Sequence, residues 1–196
     1  MQLSIVLPVY NVEPYLRECI NSIYQQNLIN FELIAINDGS TDNSLKILKE
    51  YEKKYGNFHL INQPNKGLSS SRNIGLKQSK GHYVYFFDAD DILSHSINWF
   101  YHICEIENPD IITFNADIFE NDFKNGLQNT TKYKESIVPG KTIKIKVNQN
   151  VVAFNGKEYL NIICKKKCYS PVVWRRIYKK SFLMENTSVA LIYFHH

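Results

Sequence analysis

Four short apolar runs, "LSIVLPV" (3–9), "FELIAIN" (31–37), "FHLIN" (58–62) and "HYVYFF" (82–87), are separated by stretches of helical periodicity. Near-continuous apolar runs are what strands covered on both faces look like, and parallel neighbours need a crossover of about a dozen residues, usually a helix. In the first crossover, "EPYLRECINSIYQQN", Pro14 suits a first helical turn, and Leu16, Ile20, Ile23 and Tyr24 share one stripe. The second follows a turn rich in capping residues, "DGSTDNS", and aligns Leu45, Leu48, Tyr51 and Tyr55 before a Gly56 stop. "LSSSRNIGLKQSKG" supplies the third helix, and "SINWFYHICEIEN" with the strand "DIITFNA" (110–116) continues the alternation. The pattern predicts an α/β fold: a doubly wound, mostly parallel sheet with flanking helices.

The character changes near residue 117. "KYKESIVPGKTIKIKVNQNVV" alternates like exposed strand or loop, and "GKEYLNIICKKKC" and "VVWRRIYKKSFLMEN" read as short helices. The expected organisation is an α/β domain over 1–116 and a lobe over 117–196 packed on the same sheet, because so short a segment makes a thin core of its own. Charge divides at the same place. Residues 1–116 hold nine Lys/Arg against thirteen Asp/Glu, a balance of −4, and residues 117–196 hold fourteen against six, a balance of +8. A solvated lysine surface accounts for such a surplus, and so does a face meeting anionic lipid, a phosphorylated acceptor or nucleic acid.

Other features bound the chemistry. No apolar run approaches the roughly 20 residues that span a bilayer. "MQLSIVLPVYN" lacks a basic leader and reads as a first strand, which makes a cytoplasmic location the expectation. Cys19, Cys104, Cys164 and Cys168 are then expected as thiols; "CKKKC" has no second pair at finger-like spacing, although His102 and Cys104 lie upstream. The sequons at Asn129 and Asn186 go unused in such a compartment.

Ligands of open α/β sheets sit beyond the carboxyl ends of the strands. After the first strand come Tyr10, Asn11 and Glu13, following Pro8 within it; after the second, Asn37, Asp38 and Gly39; after the fourth, Asp88, Ala89, Asp90 and Asp91. Neither a dinucleotide fingerprint nor a phosphate loop is present, so a diphosphate needs another counter-charge. A divalent cation on carboxylate oxygens supplies one, and "DAD" at a strand end suits it, its two acids sharing a side if the backbone stays extended. A helix cap is the plainer role for an isolated pair of this kind.

Taken together, "PVYNVEPYL", "INDGSTDNS", "NKGLSSSRNIGL" and "YFFDADDIL", in that order, resemble the inverting family 2 glycosyltransferases of glycosyltransferase A fold, in particular the bacterial enzymes that build lipopolysaccharide and capsule. The resemblance covers residues 1–116, with an echo in "PVVWRRIYKKSFL" of the Trp-containing acceptor-side segment. It implies that Tyr10 packs on uracil with Pro8, Asn11 and Glu13 nearby, and that Asp38 accepts from the uracil imide, Asn37 departing from the usual acid at the first position. It implies further that Gly67, Arg72 and Asn73 close over base and diphosphate. Asp88 then faces ribose and metal with Ala89 beside it, Asp90 ligates Mn2+ or Mg2+, and Asp91 supports the site or caps the next helix.

The implied reaction is a direct displacement on a nucleotide-sugar, uridine donors being favoured by Tyr10 and Asp38, by a hydroxyl of a glycan or glycolipid acceptor, with peripheral contact to anionic membrane and no nucleic acid. The family's base normally lies in an "ED" pair after the Trp segment, and no such pair occurs before the chain ends in "MENTSVALIYFHH". Either the sequence is a truncated, donor-binding form of weak or no activity, or the base is Asp117 or Glu120. A nucleotidyltransferase would show a Gly- and Arg-rich first loop, which "PVYNVEP" is not. A non-catalytic nucleotide-sugar-binding partner remains the other class.

Overall fold

A computed structural model describes residues 2–93, 97–114, 117–119, 130–132, 151–154 and 176–185. Strands β1 (Leu3–Val9), β2 (Phe31–Asp38), β3 (Phe58–Gln63) and β4 (Tyr83–Phe86) alternate with helices α1 (Glu13–Tyr24), α2 (Ser44–Lys54) and α3 (Leu68–Gln78). Helix α4 (Trp99–Glu107) leads to β5 (Ile111–Phe114). Then follow β6 (Asp117–Phe119), β7 (Thr130–Lys132), β8 (Val151–Phe154), β9 (Arg176–Lys179) and α5 (Lys180–Glu185).

The principal sheet has the order β3-β2-β1-β4-β9-β5-β8. Pairings from β3 to β4 are parallel, and those of β4 with β9, β9 with β5 and β5 with β8 are antiparallel. It follows that β1 to β5 all run in one direction while β8 and β9 run against them. Beside this sheet, β6 and β7 form an antiparallel pair.

Period two assigns the faces. Leu3, Ile5, Leu7, Leu33, Ala35, Tyr83 and Tyr85 pack against α1, α2 and α4. Val6, Ile34, Ile36, Val84 and Phe86 pack against α3 and α5. Helices on both faces explain why the strands read as unbroken apolar runs, each such side chain contributing about 1.5–3 kcal/mol on burial. Gly75 brings α3 against β1 so closely that a Cβ there would clash with Val6 Cγ1.

One element differs in kind from its sequence reading. "RIYK" within "VVWRRIYKKSFLMEN" is strand β9, and only Lys180–Glu185 is helical. Ile177 and Tyr178 point to opposite faces, into the two cores. Two apolar residues between two basic ones carry no period of their own, so insertion between β4 and β5 decides the conformation. The thiols of Cys19 and Cys104 are free and buried. The "CKKKC" pair, the sequon asparagines and Glu120 lie outside the described residues.

Candidate functional site

The carboxyl ends of β1, β2 and β4 sit side by side, because β1 lies between the other two. Pro8 is tolerated inside β1 because the pairing with β4 has ended at Val6, so no ladder partner misses its N–H. Beyond it Tyr10 is half exposed and Asn11 takes a left-handed backbone at φ 52°. The two loops that follow are stitched together. Asn11 Oδ1 accepts from the Thr41 amide at 2.8 Å, and the Asn11 amide donates to Ser40 Oγ at 3.2 Å. Glu13 accepts from Asn43 through both oxygens, at 3.0 and 2.8 Å, and its amide donates to Asp42. Asp42 also accepts from the Ser44 amide at 2.9 Å, so it and not Asp38 serves the start of α2.

Asp38 is almost wholly buried and accepts three hydrogen bonds. Gln63 Nε2 and the Lys66 amide donate to Oδ1 at 2.7 and 2.8 Å, and the Gly67 amide donates to Oδ2 at 2.8 Å. The loop carrying Gly67 is thereby held down on the end of β2. Gly39 permits this approach: its φ is 73°, and a Cβ would lie 2.6 Å from the Asn65 nitrogen. Asn37, on the opposite face, donates to Asn62 at 2.6 Å and leaves its own buried Oδ1 without a partner among the described residues.

The acids after β4 answer differently to their surroundings. Asp88 pairs with Arg72 of α3, Nη2 to Oδ1 at 2.7 Å, and the guanidinium side chain is only 6% exposed. Burial pushes the Asp88 carboxyl up, Arg72 pulls it down, and Asp90 pushes it up again. The chain does not stay extended as the "DAD" spacing assumed. The Asp91 amide donates to the Asp88 carbonyl at 3.1 Å, so the backbone turns here and Asp90 is exposed. Burial, then Asp88 and Asp90, raise the Asp91 carboxyl to about 7. Asp91 caps no helix, since α4 begins only at Trp99. Ala89 is buried beside it and Asn73 is half-buried on α3. Asp117 opens β6.

Of the three carboxylates only Asp88 is paired with the guanidinium. Such a set of hard oxygen donors, short of positive charge, suits Mn2+ or Mg2+. Among the described residues no group of three His, Cys, Asp or Glu is placed so that it could by itself hold a metal ion. Gln63 was not legible as a site residue; its signal was its register opposite Asp38 at the end of β3.

The chain is similar to known proteins in sequence and in fold. The model of glycosyl transferase family 2 matches residues 4–160. Over 94 residues the chain is 45% identical to the uncharacterized glycosyltransferase EpsJ of Bacillus subtilis, 48% of this chain and 27% of that protein. Over 196 residues it is 29% identical to the uncharacterized glycosyltransferase YibD of Escherichia coli, 100% of this chain and 53% of that protein. The chain therefore spans about half, or less, of the length of these relatives. The crystal structure of Staphylococcus aureus TarS 1–349 in complex with UDP-GlcNAc has the same fold, with TM-score 0.68 and 24% identity over 95% of this chain and 48% of that one. The mannosyltransferase PcManGT of Pyrobaculum calidifontis, in complex with GDP-Man and Mn2+, aligns with TM-score 0.59 and 14% identity over 93% and 46%.

Proposed function

Because the chain belongs to glycosyl transferase family 2, we propose that it binds a UDP-sugar at the ends of β1, β2 and β4 and passes the sugar, with inversion, to a hydroxyl of a cell-envelope glycan. The observation that carries this reading is the crowding of Asp88, Asp90 and Asp91 at the end of β4, with Arg72 paired to Asp88, beside a loop pinned by Asp38. The relative crystallised with UDP-GlcNAc supports the donor class.

In this reading Tyr10, half exposed at the end of β1, offers its ring to the base. Asp38 holds the Lys66–Gly67 loop over it and keeps one Oδ2 lone pair for the imide N–H. Arg72, with Asn73 beside it, stands between Asp88 and the diphosphate, its unpartnered buried Nε being the spare donor. Asp90, with Asp88, would hold a Mn2+ or Mg2+, which when bound neutralises charge on the departing nucleoside diphosphate. The acceptor hydroxyl gives its proton to a carboxylate, sought first at Asp117 and Glu120, as it attacks the anomeric carbon. Residues 1–116 act as the donor half and the basic residues 117–196 as the acceptor side, their +8 balance facing anionic lipid or a charged acceptor.

Calorimetric titration with a panel of UDP-sugars, with Mn2+ and with EDTA, tests the assignment. Saturable binding that Mn2+ tightens is expected, and Asp90→Asn should weaken the Mn2+-dependent part about tenfold or more. No binding of any UDP-sugar sinks the donor reading. Slow release of UDP marks a catalytically competent chain, whereas binding without release marks a donor-binding portion of a longer enzyme.

A further inference from the structure

We infer that Ser22 and Gln26, on the buried side of α1 and just past its end, are positioning residues that hold the acid-bearing segment 88–93 in shape for a divalent cation. The inference rests on the metal reading above but on a separate set of contacts. Leu93 is gripped through its backbone from both sides. Its amide donates to Ser22 Oγ at 3.0 Å, and its carbonyl accepts from Gln26 Nε2 at 2.7 Å.

Both side chains have their polarity fixed elsewhere. Ser22 Oγ donates to the Cys19 carbonyl at 2.7 Å, which leaves its lone pairs to the Leu93 amide. Gln26 Nε2 also donates to the Ser22 carbonyl at 3.0 Å, so both hydrogens of the amide are committed. The other end of the segment is held by the same helix: Cys19 Sγ lies 3.7 Å from the Asp88 carbonyl, as a weak donor. Ser22 and Gln26 are both buried, so solvent offers Leu93 no alternative partner.

The physical need for such a clamp follows from charge. Asp90 and Asp91 repel each other and Asp88, and with Arg72 engaged only at Asp88 the segment would relieve that repulsion by splaying. One hydrogen bond to each side of a single residue, supplied by a helix already locked into the core by Leu16, Ile20 and Ile23, opposes this. The segment that carries Asp88 and Asp90 is then kept in one conformation before a cation arrives, which spares binding the cost of ordering it.

The test compares Ser22→Ala and Gln26→Met with Phe58→Leu, a core substitution on β3 away from the acids, in the full chain. UDP affinity is measured in EDTA and with Mn2+, alongside amide hydrogen exchange of segment 88–93. The two clamp variants should fold, bind UDP in EDTA like the parent, lose about tenfold or more of the Mn2+-dependent gain, and exchange faster at 88–93, while Phe58→Leu changes neither. Equal loss of the Mn2+ gain in Phe58→Leu and the clamp variants, or a gain intact in Ser22→Ala and Gln26→Met, overturns the inference. If the parent itself shows no Mn2+ gain, the metal reading has failed; unchanged exchange at 88–93 in the variants would then overturn the clamp as well, and faster exchange would uphold its hold on the segment.

Discussion

Two carboxylate sites stand at the ends of β2 and β4, one strand apart, and they are finished in opposite ways. Asp38 accepts three hydrogen bonds from Gln63 and the Lys66 and Gly67 amides. Arg72 pairs with Asp88, and among the described residues Asp90 and Asp91 have no ion-pair partner. The first is satisfied by the protein itself and does structural work by holding a loop. The second is left electrostatically incomplete, and incompleteness in a native site is what a ligand charge can complete.

The largest effect is expected from Arg72→Met, which strands the Asp88 carboxylate beside two other acids. Breaking a buried pair costs about 3–5 kcal/mol; the cost here should fall toward the lower end because 25% of the Asp88 side chain is exposed. Adding Asp88→Asn to Arg72→Met should return most of the loss, since it removes the stranded charge. Urea denaturation in EDTA measures both. A loss no greater than that of an ordinary surface substitution, about 0.5 kcal/mol, would mean that solvent already compensates the trio.

The contrast between the two sites was only half legible in the sequence. Strand ends could be placed because "FELIAIN" and "HYVYFF" are apolar on both faces, and the acids follow them directly. Partners could not be placed, because they come from across the fold. Arg72 reaches Asp88 only through the seating of α3 on the sheet at Gly75, and Gln63 reaches Asp38 only through the β2–β3 register. For the same reason β9 escaped a local reading: its conformation is dictated by two neighbours, β4 and β5, that are far from it in sequence. The turn after Asp88, which rotates Asp90 outward, is likewise set by a backbone hydrogen bond that the "DAD" spacing does not encode.

At the satisfied site the next largest effect is Asp38→Asn. The substitution keeps the size, but turns an amino group toward amides that can only donate, so about 2 kcal/mol of stability should be lost. Asp90→Asn, at the exposed position of the unsatisfied site, should change metal-free stability by no more than about 0.5 kcal/mol. Paired denaturation curves in EDTA check the inequality. If Asp90→Asn proved the costlier of the two, the trio would be a structural network and not a site waiting for charge.

The last effect is a pH slope at the unsatisfied site. Asp91 has its folded carboxyl at about 7, against about 3.9 for an unfolded aspartate. Between these values the folded chain keeps a proton that the unfolded chain has released, so stability falls as pH rises from about 4 to about 7. Asp88 leans the same way through burial, with Arg72 opposing. Because Asp91 is only partly buried, solvent screening should limit its share to about 1 kcal/mol. Asp91→Asn should therefore match the parent near pH 4 and exceed it by about that amount near pH 8, as read from melting curves in EDTA across the range. A variant that is no more stable at pH 8 than at pH 4, relative to the parent, would mean that Asp91 is ionised at little cost and that the deficit of positive charge at the end of β4 is smaller than its crowding of acids implies.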